Sequence, residues 1–289
     1  MRIAVALIAA FVLQDEGTRF EHKYAKGSVR KYRVVASQKT ALDMGGTDMG
    51  SSSESTQVLR EEVLDCDDKG GAKVKTTFAE MKMKFKQGGE ETVFDSTKKE
   101  DQEKLEGNMM LQMMAAYAGK SVTYTAAKTG AISKIDTAEI QEAMGENQMA
   151  PMVEGMVRQM IDLTAVVFPD KPVKKGESWK RQSSVEMGMV GTLKIDVEYT
   201  HAGADKVGEV ECVKFTSKIT IAFDAGDGGM VKVEIKKQEN SGATWFDPAR
   251  AEVMKSTYKT KMTMAIEAGG QEFEQEQESS YEMERVKDW

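Results

Sequence analysis

The stretch MKSTYKTKMTMAI, residues 254–266, carries Met254, Tyr258, Met262, Met264 and Ile266 on one parity and Lys255, Lys259 and Lys261 on the other. A period of two sends alternate side chains to opposite faces of a pleated strand. One face is then buried and the other wet, the usual state of an antiparallel sheet. The same alternation recurs in Leu193, Ile195, Val197 and Tyr199, in Val213, Phe215, Ile219, Ile221 and Phe223, and in Val231, Val233 and Ile235. Glycine pairs punctuate these runs at Gly70-Gly71, Gly88-Gly89, Gly226 to Gly229 and Gly269-Gly270, and they read as hairpin turns.

Between 74 and 85 the phase changes. Val74, Thr76 and Phe78 share one parity, whereas Met81, Met83 and Phe85 share the other, which predicts a bulge near Phe78-Ala79. The segment MGGTDMGSSSES, 44–55, reads as a flexible connection. The closing EFEQEQESSYEMERVKDW reads as a last, largely exposed strand on the strength of Phe273, Tyr281 and Met283.

Two regions switch to a helical period. From 98 to 118 the apolar positions are Leu105, Met109, Met110, Met113, Met114 and Tyr117. From 149 to 168 the stripe is Met149, Met152, Val153, Met156, Met160, Leu163 and Val167, ended by Pro169. A shorter helix over 137–144 precedes it, with Asp136 as N-cap. A weak internal repeat pairs Lys26-Gly27 with Lys175-Gly176, and VTYTAAKTGAISKI (122–135) with ATWFDPARAEVMKS (243–256). The first half is longer mainly by the Met-rich segment 97–119.

The N-terminus, MRIAVALIAAFVLQDEG, sets Arg2 before an apolar run from Ile3 to Leu13. That run falls short of the about 20 residues a bilayer requires and has the shape of a secretory signal peptide. The expected organisation is a signal peptide over 1–14 and one β-rich domain over 15–289. Within it, two pseudo-repeats, about 20–135 and 170–289, are joined by helices over 136–168. The expected destination is outside the cytoplasm, periplasmic or extracellular. A net charge of -7 argues against nucleic acid as partner. No apolar stretch is long enough to span a membrane. Cys66 and Cys212 lie far apart in sequence, without the neighbouring ligands of a metal or redox motif.

Reactive motifs are absent: no GxSxG, P-loop, HExxH, CxxC or dinucleotide fingerprint occurs. His22 and His201 read as ordinary surface residues, and Glu61-Glu62 as one of several solvated carboxylate pairs. No cofactor, metal or catalytic residue is expected, and the chain reads as a non-enzyme. The 21 methionines need another explanation. Thioethers bind Cu(I), but only two histidines and two cysteines could complete such a site. Residues two apart on a strand and three or four apart on a helix share a face, so most of these methionines are explained by packing. Methionine also lines adaptable apolar surfaces.

With its signal-like start, its Lys-Gly-plus-aromatic strand openings and its VTY and ATW strands, the chain resembles an uncharacterised exported bacterial family, a domain of unknown function. The architecture also resembles the lipoprotein-carrier fold of LolA and its relatives. That likeness implies a curved, incomplete barrel capped by helices around an apolar cavity, and binding of acyl chains or similar cargo.

The fold expected from these readings is α+β: a curved, mostly antiparallel sheet wrapped around or capped by Met-rich helices. The expected ligand-binding residues are Met109, Met113, Tyr117, Met152, Met156, Met160, Met262 and Met264. The expected partner is a lipid or hydrophobic small molecule. The competing expectation is a structural or interaction protein of the cell envelope with a filled interior and no ligand.

Overall fold

The computed structural model of the protein describes residues 17–43, 48–103, 109–145, 157, 166–186, 191–225, 231–268 and 270–286. The signal-like segment 1–14 and the glycines 226–229 lie outside these residues. Among them run twelve strands and three helices. The strands are β1 (Val29–Asp43), β2 (Asp48–Cys66), β3 (Ala72–Gln87), β4 (Glu90–Asp95), β5 (Ser121–Ala126), β6 (Ile132–Asp136), β7 (Ser178–Glu186), β8 (Gly191–Val207), β9 (Val210–Ala225), β10 (Val231–Asp247), β11 (Glu252–Ala268) and β12 (Gln271–Arg285). The helices are α1 (Lys99–Glu103), α2 (Met109–Tyr117) and α3 (Ala138–Met144).

All twelve strands belong to one sheet, ordered β6-β5-β3-β2-β1-β12-β11-β10-β9-β8-β7, with β4 beside β3. The pairs are antiparallel throughout. The strands β1-β2-β3-β5-β6 and β7-β8-β9-β10-β11 form two meanders of the same order. The helical excursion α1–α2 falls between β4 and β5. β12 lies between the meanders, pairing with β1 on one side and β11 on the other. Its glutamates face outward, while Met283 is buried and Tyr281 half-buried. Gly130 and Ala251 both stand in the left-handed region, at φ 89° and 56°.

The α+β class is corrected to all-β. The longest described helix, α2, has nine residues, about 13 Å at 1.5 Å per residue. β2 has 19 residues, about 60 Å at the rise of a strand. A sheet of that length cannot wrap around a rod that short. The helices instead pack on the sheet near β3 and β5. Tyr117 meets Phe78 edge to face at 5.2 Å. Gly119 N–H donates to the Phe78 carbonyl (2.7 Å), and Ser121 N–H to Glu139 of α3 (3.0 Å). Asp136 accepts from Ala138 N–H (3.0 Å) at the start of α3. The expected flexible connection over 44–55 is also corrected. From Asp48 onward it belongs to β2, paired with β1 throughout and with β3 from Ser51. Neighbouring ladders on both sides outweigh the poor strand preference of Gly and Ser. The predicted bulge is present: Val58 faces Glu80 and Leu59 faces Phe78, leaving Ala79 as the extra residue.

The sheet curls until its two edges meet common straps. Phe168 N–H donates to the carbonyl of Thr129, in the β5–β6 turn at one edge (2.8 Å). Trp179 Nε1, on β7 at the other edge, donates to the Val167 carbonyl (2.8 Å). A second strap, residues 17–24, pairs Thr18 with Val173, and its His22 N–H donates to Lys128 O (2.7 Å). Phe20, Phe168, Trp179, Phe215 and Phe246 interlock beneath these straps at centroid distances of 5.0 to 6.4 Å. Both histidines belong to this buried end, so the surface reading of His22 and His201 is corrected. His201 lies edge-on to Phe20 (5.2 Å), and His22 contacts Phe168 (5.3 Å) and Phe246 (5.4 Å). Aromatic packing across the straps, a contact far apart in sequence, draws them inside.

Candidate functional site

The face of the sheet that carries the core is the inner face. Beside the aromatic cluster it encloses a cavity of about 90 Å³. The wall is mostly apolar, from Leu59, Val63, Val74, Ala126, Val253 and Met283, with four tyrosines, Tyr24, Tyr32, Tyr124 and Tyr281. Polar groups enter at Glu61, Thr76, Arg30 and His22. Local sequence explains the placement of Glu61: it shares parity on β2 with Leu59 and Val63, so the pleat sends it inward. Glu62, one residue on, pairs outside with Arg60 (2.7 Å). The expectation that Glu61-Glu62 is a solvated pair therefore holds for Glu62 alone.

Tyr124 OH donates to Glu61 (3.2 Å) and accepts from Thr76 Oγ1 (3.3 Å). Burial raises the Glu61 carboxyl above its ordinary value, against the opposing pull of Arg30 and the Tyr124 hydrogen bond. Arg30 is held by Glu252 (2.9 Å) and by the Lys23 carbonyl (2.8 Å). Burial also lowers His22 to about 4, although its Nε2 stands 3.1 Å from the Val166 carbonyl. The neutral ring with the proton on Nε2 donates that bond. Among the described residues the buried Tyr281 hydroxyl has no hydrogen-bond partner. A cavity of this size with these polar groups has room for ordered water. Among the described residues no three His, Cys, Asp or Glu side chains are grouped to hold a metal.

Above Tyr281 the inner face changes character. Ladder partners Ser55, Ala36, Tyr281 and Tyr258 form one row across β2, β1, β12 and β11. Ser53, Gln38, Ser279, Thr260 and Asn240 form the next, reaching β10. Beyond them lie Leu42, Phe273, Met264, Ile266, Val233 and Ile235, all half-buried. On these five strands, no charged residue occupies this inward register from the Tyr281 row to the Phe273 row. Ionic groups occupy the outer face, where Lys261 meets Glu278 (2.7 Å), Lys255 meets Glu282 (3.0 Å) and Lys232 meets Glu267 (3.0 Å).

The methionines expected to bind ligand are dispersed relative to the cavity. Met262 is buried on β11 between Gln238 and Gln277, and Met264 beside it is half-buried. Tyr117 is buried on α2 against Phe78 of β3, four strands away along the sheet. None of these three lines the cavity. Met109 and Met113 belong to α2, but their side chains lie outside what is described, as do Met152, Met156 and Met160 altogether. Reasoning from methionine spacing passed over Glu61, Tyr124 and Tyr281. The signal for Glu61 was present: a carboxylate on the apolar parity of its strand. The two cysteines are both free, Cys66 exposed and Cys212 buried.

A single curled antiparallel sheet, closed at one end by straps and aromatic packing and lined above by uncharged side chains, defines a β-cradle. The chain belongs to the Family of unknown function (DUF6263), which matches residues 69–244. No curated protein matches it. Among solved structures, it is similar to lipovitellin, from a study of lipid–protein interactions, at 12% identity and a TM-score of 0.49. That match covers 92% of this chain and 26% of the other, so the chain spans about a quarter of that protein's length. A Bacteroides fragilis protein of YmcC-like fold, described as exported, matches at 10% identity and a TM-score of 0.32, covering 93% of this chain and 99% of the other. Among the described residues no helix is long and apolar enough to cross a membrane.

Proposed function

We propose that the protein is an exported, non-enzymatic binding protein whose cradle holds a hydrophobic or lipid-like ligand against its inner face. One observation carries the reading: the division of charge between the two faces of a continuous sheet. Outside, lysines and glutamates alternate in ion pairs. Inside, above Tyr281, the same strands present only apolar and uncharged polar groups, many half-buried. An apolar guest gains about 25 cal/mol for each Å² of apolar surface it removes from water, and an uncharged lining spares it the cost of desolvating ions. The Ser, Thr, Asn and Gln rows supply hydrogen bonds to a polar headgroup. The apolar run before Gln14 supports export.

The test is mass spectrometry of organic extracts of the purified protein, with titration of a fluorescent fatty acid. Co-purified lipid and saturable probe binding are expected. The double substitution Met264→Lys and Ile266→Lys places two charges on the inner face and is expected to abolish probe binding while far-ultraviolet circular dichroism is unchanged. A wild-type protein that yields no lipid and binds no probe refutes the proposal.

A further inference from the structure

β9 and β10 are consecutive strands, yet they pair only along their lower parts, Val213–Lys218 against Ser241–Phe246. Among the described residues no backbone bond joins them above that point. There β9 continues to Ala225, paired with β8, and β10 runs from Val231, paired with β11. The result is a seam between two backbones, each with one edge unpaired among the described residues. At its foot sits a side-chain amide. Ile221 N–H donates to Gln238 Oε1 (2.8 Å), and Gln238 Nε2 donates to the Ile221 carbonyl (2.8 Å). These are the two bonds that a residue of an adjacent antiparallel strand would exchange with Ile221. Asn240 Nδ2 supports the amide, donating to Gln238 Oε1 (2.8 Å). A hollow of about 1100 Å³ reaches Gln238 and Asn240.

The first meander shows what occupies the corresponding edge. β3 pairs with β5 along Ala72–Thr77, and above that point β4 lies against Lys82–Gln87. β9 is in the same position relative to β10, with no described strand in the place of β4.

We infer that the β9–β10 seam is a docking site for an extended polypeptide segment of a partner protein. The segment adds as a strand along the Ile219–Ala225 edge and displaces the Gln238 amide. Ile221, Phe223, Val233 and Ile235 flank the seam on the inner face, and Thr220, Asp224, Lys232 and Glu234 on the outer. The segment it fits therefore alternates apolar residues inward with polar residues outward. Backbone hydrogen bonds give such additions their affinity, and alternate side chains give them specificity. This inference is independent of the ligand reading.

The probe is a synthetic peptide with the sequence of residues 192–200, TLKIDVEYT, whose apolar residues alternate with polar ones. Hydrogen exchange of the full chain is measured with and without it. The expected result is slowed exchange of the Ile221 and Phe223 amides. Gln238→Ala removes the resident amide and is expected to tighten peptide binding roughly thirtyfold, the worth of two net hydrogen bonds. A peptide N-methylated at alternate residues cannot pair and is expected not to bind. The inference is overturned if the peptide leaves these amides unchanged in both wild type and Gln238→Ala. It is also overturned if the N-methylated peptide binds equally well, or if only a detergent or lipid protects the seam.

Discussion

Acid should loosen this protein through His22, and the size of the effect can be worked out. The ring is buried among Phe168, Phe246 and Tyr24, and burial brings its pKa from 6.5 to about 4. A depressed histidine is neutral in the folded chain while the unfolded chain takes up a proton. Its contribution is therefore fully present above pH 6.5 and is lost as the pH falls from 6.5 through about 4. At 1.36 kcal/mol per pKa unit, the full loss is about 3 kcal/mol, of which about 2 kcal/mol is gone by pH 5. Glu61 acts in the opposite sense. Its raised carboxyl favours the protonated folded state, so it returns stability as the pH drops toward 4.5. Asp95, held near 2 by the Thr97 hydroxyl, loses its contribution only below its ordinary 3.8. His22→Gln isolates the histidine, because the amide can still donate to the Val166 carbonyl but does not titrate. Urea unfolding of both proteins between pH 7.5 and 4.5 should show the wild type losing ground to the variant by about 2 kcal/mol by pH 5. Parallel stability curves would refute the assignment of a buried, neutral His22.

Two further outcomes follow from the same end of the molecule. A Cβ added to Gly130, at φ 89°, would stand 2.5 Å from the Val166 carbonyl oxygen and 2.8 Å from His22 Nε2. Gly130→Ala should therefore cost more than about 2 kcal/mol in chemical denaturation, combining backbone strain with a clash against a strap. Free Cys66 is exposed, whereas burial shields Cys212 and pushes its thiol up. A maleimide should label the native protein once, at Cys66, and twice only after unfolding, as read by intact mass.

Local periodicity made most of the sheet legible. The parity of 254–266 identifies β11 and its inner face, and the phase change near Phe78 locates a bulge at Ala79. What misled was context that a local pattern does not contain. Helical spacing in 98–118 reflects a real helix, but α2 spans nine residues beside strands of up to 19, so it decorates the sheet and does not organise it. Ser51 to Ser53 looked like a loop because the ladders of β1 and β3 that hold them are specified elsewhere in the chain. His22 and His201 looked solvent-facing because the straps that bury them join residues 144 apart, as in the His22–Val166 contact. Glu61 was legible in principle. Its parity with Leu59 and Val63 predicts an inward carboxylate, and only its adjacency to Glu62 disguised it.

The asymmetry between the two meanders bears on how a cradle of this kind could exchange its contents. In the first, β4 covers the upper edge of β3. In the second, the equivalent edge of β9 parts from β10, and the Gln238 amide stands in for a strand, with Asn240 Nδ2 donating to the Ile219 carbonyl beside it (3.4 Å). Paired backbone in the rest of the sheet opens only at the cost of several ladder bonds at once. At the seam, opening breaks the two Gln238 bonds, whose net worth is about 2 kcal/mol, and the longer Asn240–Ile219 bond. A strand from a partner would replace both bonds as it displaced the amide, so docking and opening would be nearly balanced. The inner face at that level carries Ile221, Phe223 and Ile235. A seam widened there exposes the apolar lining of the cradle before any other part of the sheet has to yield.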